Sequence, residues 1–182
     1  MATKGRKVKW TAAQIKAHIR NIQEVIEQHK RLVKPGEDFT AVTPEDIERK
    51  LKHANSPMIV LEYGSWTGPT ARGGILSYNV GIYNPDPQQA KSLVAHVWVG
   101  SGSVDPMVGT FLLNVDTRFP RLTQPAWPGL TLDPNFSKVL TFAVKVPSTV
   151  ERTNYLGNCC LMRLGWGEPT YLDRGNFLFT IA

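Results

Sequence analysis

From Pro57 onward, apolar residues recur at every second position, and this alternation limits the fold more than any other feature of the chain. In GILSYNVGIYN, Leu76, Tyr78, Val80 and Ile82 share one side. KSLVAHVWVG places Leu93, Ala95, Val97 and Val99 together, with Val94, His96 and Trp98 opposite. KVLTFAVKV sets Leu140, Phe142, Val144 and Val146 against the more polar Thr141 and Lys145, and NFLFTI lines up Phe177, Phe179 and Ile181. A period of two is strand geometry, because successive side chains of a strand point to opposite faces. Adding PMIVLEY, MVGTFLLNV, RFPRLT and YLGNCCLMRL gives about eight short strands with turn residues between them. No helical pattern intervenes. Strands with one apolar face must bury it against another layer, so the expected fold is mainly β, an antiparallel sandwich over residues 57–182.

The segment SYNVGIYNPDP, a strand ending in Asn-Pro-Asp-Pro, resembles the strand ends of immunoglobulin-like domains. The resemblance implies an immunoglobulin-like sandwich and carries no activity with it.

The N-terminal part reads differently. Residues 1–10 form a basic tail, and residues 11–55 a helical element with helices over about 12–33 and 44–54. Thr11 stands where an N-cap is expected, and residues 12–33 contain neither Gly nor Pro. Ile15, Ile19, Ile22, Ile26 and Val33, with His29 completing the series, repeat at spacings of 4, 3, 4, 3 and 4. That is a heptad seam, suited either to self-association into an oligomer or to packing within the same chain. Val25 and Leu32 widen it. Lys34-Pro-Gly stops the helix. Thr43-Pro44-Glu45-Asp46 starts a second one with a cap, a first-turn proline and first-turn acids. Ile47, Leu51 and Ala54 form its apolar face, and it ends before Ser56-Pro57.

Charge follows the same division. Residues 1–52 carry twelve Lys/Arg and seven Asp/Glu, whereas the other 130 residues carry nine and eight. Lys4, Arg6, Lys7 and Lys9 would meet the phosphates of a nucleic acid or lipid, or form a solvated tail. The basic start is followed by a polar helical pattern, not the apolar core of a signal peptide, and no stretch approaches the roughly 18 apolar residues of a membrane span. Cys159 and Cys160 are adjacent and would point to opposite faces of a strand, so they do not bridge each other. Free thiols fit a reducing, cytoplasmic setting. Cys160, sharing its side with Leu156, Met162 and Leu164, is expected in the core, and Cys159 on the side of Tyr155, Leu161 and Arg163. Asn135-Phe-Ser matches a glycosylation sequon by chance.

Three tryptophans stand among chain breakers: Trp66 in GSWTGPTARGG, Trp127 in TQPAWPG and Trp166 in LGWGEPTYLDRG. If each connection reverses the chain, odd-numbered connections share one end of the sandwich. The connections at 64–73, 101–106, 124–137 and 165–173 are then neighbours. Trp66, Trp127, Trp166 and Tyr171 would gather there, either as a platform for a protein or glycan ligand or as a cork over the core.

Catalytic signatures are missing. His18, His29, His53 and His96 are scattered without zinc spacing, and no metal site or cofactor is expected. No P-loop, nucleophile elbow or dinucleotide fingerprint occurs. The expected function is a non-enzymatic binding or assembly protein. One alternative is a small jelly-roll coat-type protein with its basic arm on nucleic acid. Another is a carbohydrate-active enzyme using Asp105, Glu168 and Asp173 at the tryptophan end.

Overall fold

Thr11 opens the first helix as the sequence predicts. Its hydroxyl accepts from the Gln14 amide at 3.2 Å, and the Gln14 side-chain oxygen accepts from the Thr11 amide at 2.9 Å. This reciprocal box satisfies two of the amides that a helix start leaves without partners. The computed structural model describes residues 9–53, 59–67, 70–88, 90–100, 116–122, 126–163 and 170–182. Lys4, Arg6, Lys7, the MVGTFLLNV strand and Trp166 lie outside them.

Helix α1 spans Ala12–Lys30, shorter than the expected 12–33, with Arg31 as C-cap and Leu32 left exposed. Helix α2 spans Pro44–His53. Thr43 caps it: its hydroxyl accepts from the Asp46 amide at 3.1 Å, and the Asp46 carboxylate accepts back from the Thr43 amide at 3.4 Å.

Between the helices lies a strand the sequence reading lacks, β1 (Glu37–Ala41), antiparallel to β2 (Ile59–Thr67). Five residues with two acids give too weak a pattern to read as a strand. The segment 11–55 is therefore not helical throughout, and β1 belongs to the same sheet as β2. The remaining strands are β3 (Ile75–Tyr83), β4 (Ala90–Gly100), β5 (Ala126–Leu132), β6 (Ser137–Lys145), β7 (Asn154–Arg163) and β8 (Thr170–Thr180). They form two four-stranded antiparallel sheets, ordered β1-β2-β3-β6 and β5-β4-β7-β8.

The register of β3 on β6 shows what the alternation achieves. Leu76 lies opposite Val144, Tyr78 opposite Phe142 and Val80 opposite Leu140, and all six are buried. Slipping either strand by one residue would turn its own buried set to water, so register and burial fix each other. These side chains join Val99 of β4, Leu132 of β5, Cys159 and Leu161 of β7, and Phe179 and Ile181 beside them in one core cluster drawn from both sheets. The Tyr78 and Phe142 rings sit 4.9 Å apart, and Phe119 meets Tyr155 edge-on at 5.2 Å. Each such side chain contributes about 1.5–3 kcal/mol by leaving water.

A second cluster unites Ile15, Ile22 and Ile26 of α1 with Val42, with Ile47 and Leu51 of α2, and with Tyr83 at the end of β3. Ile19 packs against it, and Val33 is half-buried. The seam read as a candidate oligomer contact is thus occupied from within the chain. The reason is the apolar face of α2, which needs a partner as much as α1 does. A second copy would have to displace it.

Two further expectations change. RFPRLT does not form a strand: Phe119 bonds back to Asp116 in a turn, and Arg121 makes only an isolated bridge to Val144. Strand β5 forms instead, through Pro128 and Gly129. It tolerates the proline because it is the outermost strand of its sheet among the described residues, where a missing N–H leaves no inner ladder unpaired. On β7 the core side is Tyr155, Cys159 and Leu161. The Leu156 side, expected inward, lies opposite the exposed Leu178. Both sides of β7 are apolar, so alternation alone cannot orient it.

Candidate functional site

The strand pairings sort every strand terminus to one of two ends. At the first end, β2 finishes at Thr67, β3 starts at Ile75 opposite Lys145, and Thr70 bridges Ile181. The end of β4 and the starts of β5 and β7 face the same way. The second end holds Tyr83 opposite Ser137, Ala90 opposite Leu132, and Arg163 opposite Thr170.

This sorting divides the aromatic residues expected to gather. Trp66 lies inside β2 near its finish, opposite Asp38 on one side and Tyr78 on the other. Trp127 lies inside β5 near its start, opposite Ala95. Both are strand positions, not loop positions, and both strand termini open toward the first end. Tyr171 lies opposite Met162 near the second end. The strands flanking Trp166 also meet at the second end, where Arg163 pairs Thr170. Counting connections fails because β5, read as part of a loop, is itself a crossing. The alternation of Leu130 and Leu132 is the signal for it, masked by the Pro-Gly before it.

Buried polar groups tie the second end together. Asn84 is fully buried. Its amide nitrogen donates to the Leu132 and Gln88 carbonyls at 3.0 and 3.1 Å, and its side-chain oxygen accepts from the Asp86 amide at 3.0 Å. Its backbone amide donates to Phe136 and its carbonyl accepts from Asn135. One asparagine therefore joins the β3–β4 turn to the β5–β6 turn. Asn135 supplies the left-handed turn, φ 57°, and its side-chain oxygen accepts from the Tyr83 hydroxyl at 3.2 Å. Burial pushes the Tyr83 phenol up, partly offset by its bond to Asn21 of α1. Sequence reading passes over Tyr83 as one more strand residue; it links α1, β3 and a turn.

The acids are engaged as well. Asp173 of β8 accepts from Lys50 of α2 at 2.6 Å, with both side chains nearly buried. Of the three acids proposed for a carbohydrate enzyme, Asp105 and Glu168 lie outside the described residues, and Asp173 sits in this pair. Asp116 accepts from the Arg118 guanidinium at 2.9 and 2.7 Å and from its amide at 3.1 Å. The Arg118 bonds hold its carboxyl below the ordinary carboxylate range against the opposing effect of burial.

Three groups sit in less polar surroundings. Tyr78 is wholly buried, and burial foremost pushes its phenol well up, with Cys159 adding to the rise and Arg121 opposing it. Cys159 is a buried thiol. His18 packs edge-on against Trp10 at 4.6 Å, and burial lowers its pKa. Among the described residues no three His, Cys, Asp or Glu side chains cluster to hold a metal, and no helix is long and apolar enough to cross a membrane.

No family model matches the sequence, and no curated protein matches it. Among solved structures, the chain is similar to the CARDB domain of the PF1109 protein from Pyrococcus furiosus, determined in complex with di-metal ions. That match has 13% identity and a TM-score of 0.41, over 82% of this chain and 92% of that one. The C-terminal domain of wzt aligns at 8% identity with a TM-score of 0.47, over 82% and 80%. E. coli alpha-2-macroglobulin aligns at 12% identity with a TM-score of 0.45, over 70% of this chain and 7% of that one. Among the described residues the chain is mainly β, with two helices.

Proposed function

We propose that the chain is a non-enzymatic binding or assembly module built on an immunoglobulin-like β-sandwich, with its ligand site at the first end. The observation that carries this reading is the placement of Trp66 and Trp127. One belongs to each sheet, and both stand near strand termini that open toward the same end. Tryptophan offers a large, rigid contact area for a glycan ring or a peptide at small entropic cost. The engagement of Asn84 and Asp173 in bonds that join elements supports a binding module over an enzyme.

The test is a glycan and peptide array probed with the parent chain, Trp66→Ala and Trp127→Ala. Either variant should lose about 2 kcal/mol or more of binding, the range of interface hot spots. If both bind as the parent does while Tyr171→Ala abolishes binding, the ligand end is the second one and the assignment fails.

A further inference from the structure

The first 23 residues hold six Lys and Arg and no Asp or Glu. Of these cations, Lys9, Lys16 and Arg20 are described, and all three are exposed. Lys16 and Arg20 are one turn apart and therefore neighbours on the helix surface. They lie roughly 120° around the axis from the buried Ile15, Ile22 and Ile26, at 3.6 residues per turn. Ala12 and Ala13 beside them are exposed and small. The first turn of α1 carries no acid, so the positive end of the helix dipole adds to the side-chain charges and is not offset by them.

Two observations choose among anionic partners. The apolar face of α1 is packed on α2 and Tyr83, so the helix has no free apolar side to sink into a bilayer, as an interfacial helix must. Trp10, the aromatic residue nearest the cations in sequence, is half-buried with its ring against His18, and is not presented as a base-stacking platform. What remains is a rigidly held row of cations, the arrangement that contacts phosphates without reading bases. We propose that the exposed face of the N-terminal half of α1, with Lys9, Lys16 and Arg20, docks the phosphate backbone of duplex nucleic acid irrespective of sequence. The proposal is independent of the ligand site assigned to Trp66 and Trp127.

Fluorescence anisotropy of the full chain with two short labelled duplexes of unrelated sequence tests it. Both duplexes should bind alike, and log affinity should fall linearly with log salt with a slope of about −3 to −5, set by the number of phosphates neutralised. Lys16→Glu/Arg20→Glu should weaken binding about tenfold or more and flatten the slope by about 2, with an unchanged thermal midpoint. Lys138→Glu/Lys145→Glu makes the same change in net charge at two exposed positions of β6 and should bind as the parent does. The proposal is overturned if no duplex binds at about 50 mM salt, or if the α1 pair binds normally. It also fails if the β6 pair weakens binding equally, or if phosphatidylserine vesicles are bound in preference to the duplex.

Discussion

The two hydrophobic clusters are built in opposite ways. Among the described residues, the sheet cluster gathers seventeen buried residues from positions 76–181, drawn from strands far apart in sequence. The helical cluster has seven buried residues, and six of them come from positions 15–51. Among the described residues, the seventh, Tyr83, comes from β3. The first cluster exists only when strands far apart in sequence have found their register. The second can form largely from one continuous segment and is then fastened to the sheets at a few points. Among the described residues those points include the pairing of β1 with β2, the Lys50–Asp173 ion pair, and the bonds of Tyr83 to Asn21 and Asn135. Stability should therefore be uneven across the molecule, with the helical layer the easier part to open.

The most damaging change should be Phe142→Ala, which removes a fully buried ring packed at a tilt against Tyr78. A loss of about 3–5 kcal/mol is expected. It should lower the chemical-denaturation midpoint read by both helical and sheet signals, because the helical layer has nothing to dock on once the sheets are lost. Lys50→Ala should cost less, about 3 kcal/mol, because it removes the Lys50 cation that bonds the nearly buried Asp173 carboxylate. Its signature is selective: the helical signal should melt earlier while the sheet signal changes little. Equal shifts in both would mean that the two clusters are one unit.

Thr11→Ala should cost about 1 kcal/mol, the usual loss for a helix cap, and should be felt in the helical transition alone. Smaller still is the effect of His18. Burial holds its folded pKa below the ordinary 6.5, so as pH falls through 6.5 the unfolded chain takes up the proton first. Stability from this group is thus full above pH 6.5 and is lost as the pH drops toward the folded value. The helical transition should move to lower temperature in mild acid, and His18→Gln should flatten that dependence.

What the sequence reveals depends on how local the deciding physics is. The faces of β3 and β6 and the starts of both helices are legible, because alternation and capping are written within a few residues. Strand β1 is not, since EDFTA is too short and acidic to announce itself and is held by pairing with β2. Strand β5 hides behind Pro128 and Gly129, and missing it sends Tyr171, and the strands flanking Trp166, to the wrong end. The orientation of β7 is illegible for a different reason, since both of its sides are apolar. Lys50 and Asp173 are 123 residues apart, and nothing near either of them signals the other.

Amide hydrogen exchange under native conditions tests the difference between the clusters most directly. The account expects the amides of α1 and α2 to exchange together through an opening of lower free energy than that protecting β3 and β6, with Lys50→Ala widening the gap. If the helical amides are as strongly protected as those of β3, and Lys50→Ala lowers both by the same amount, the helical layer is no separate unit and the account is contradicted.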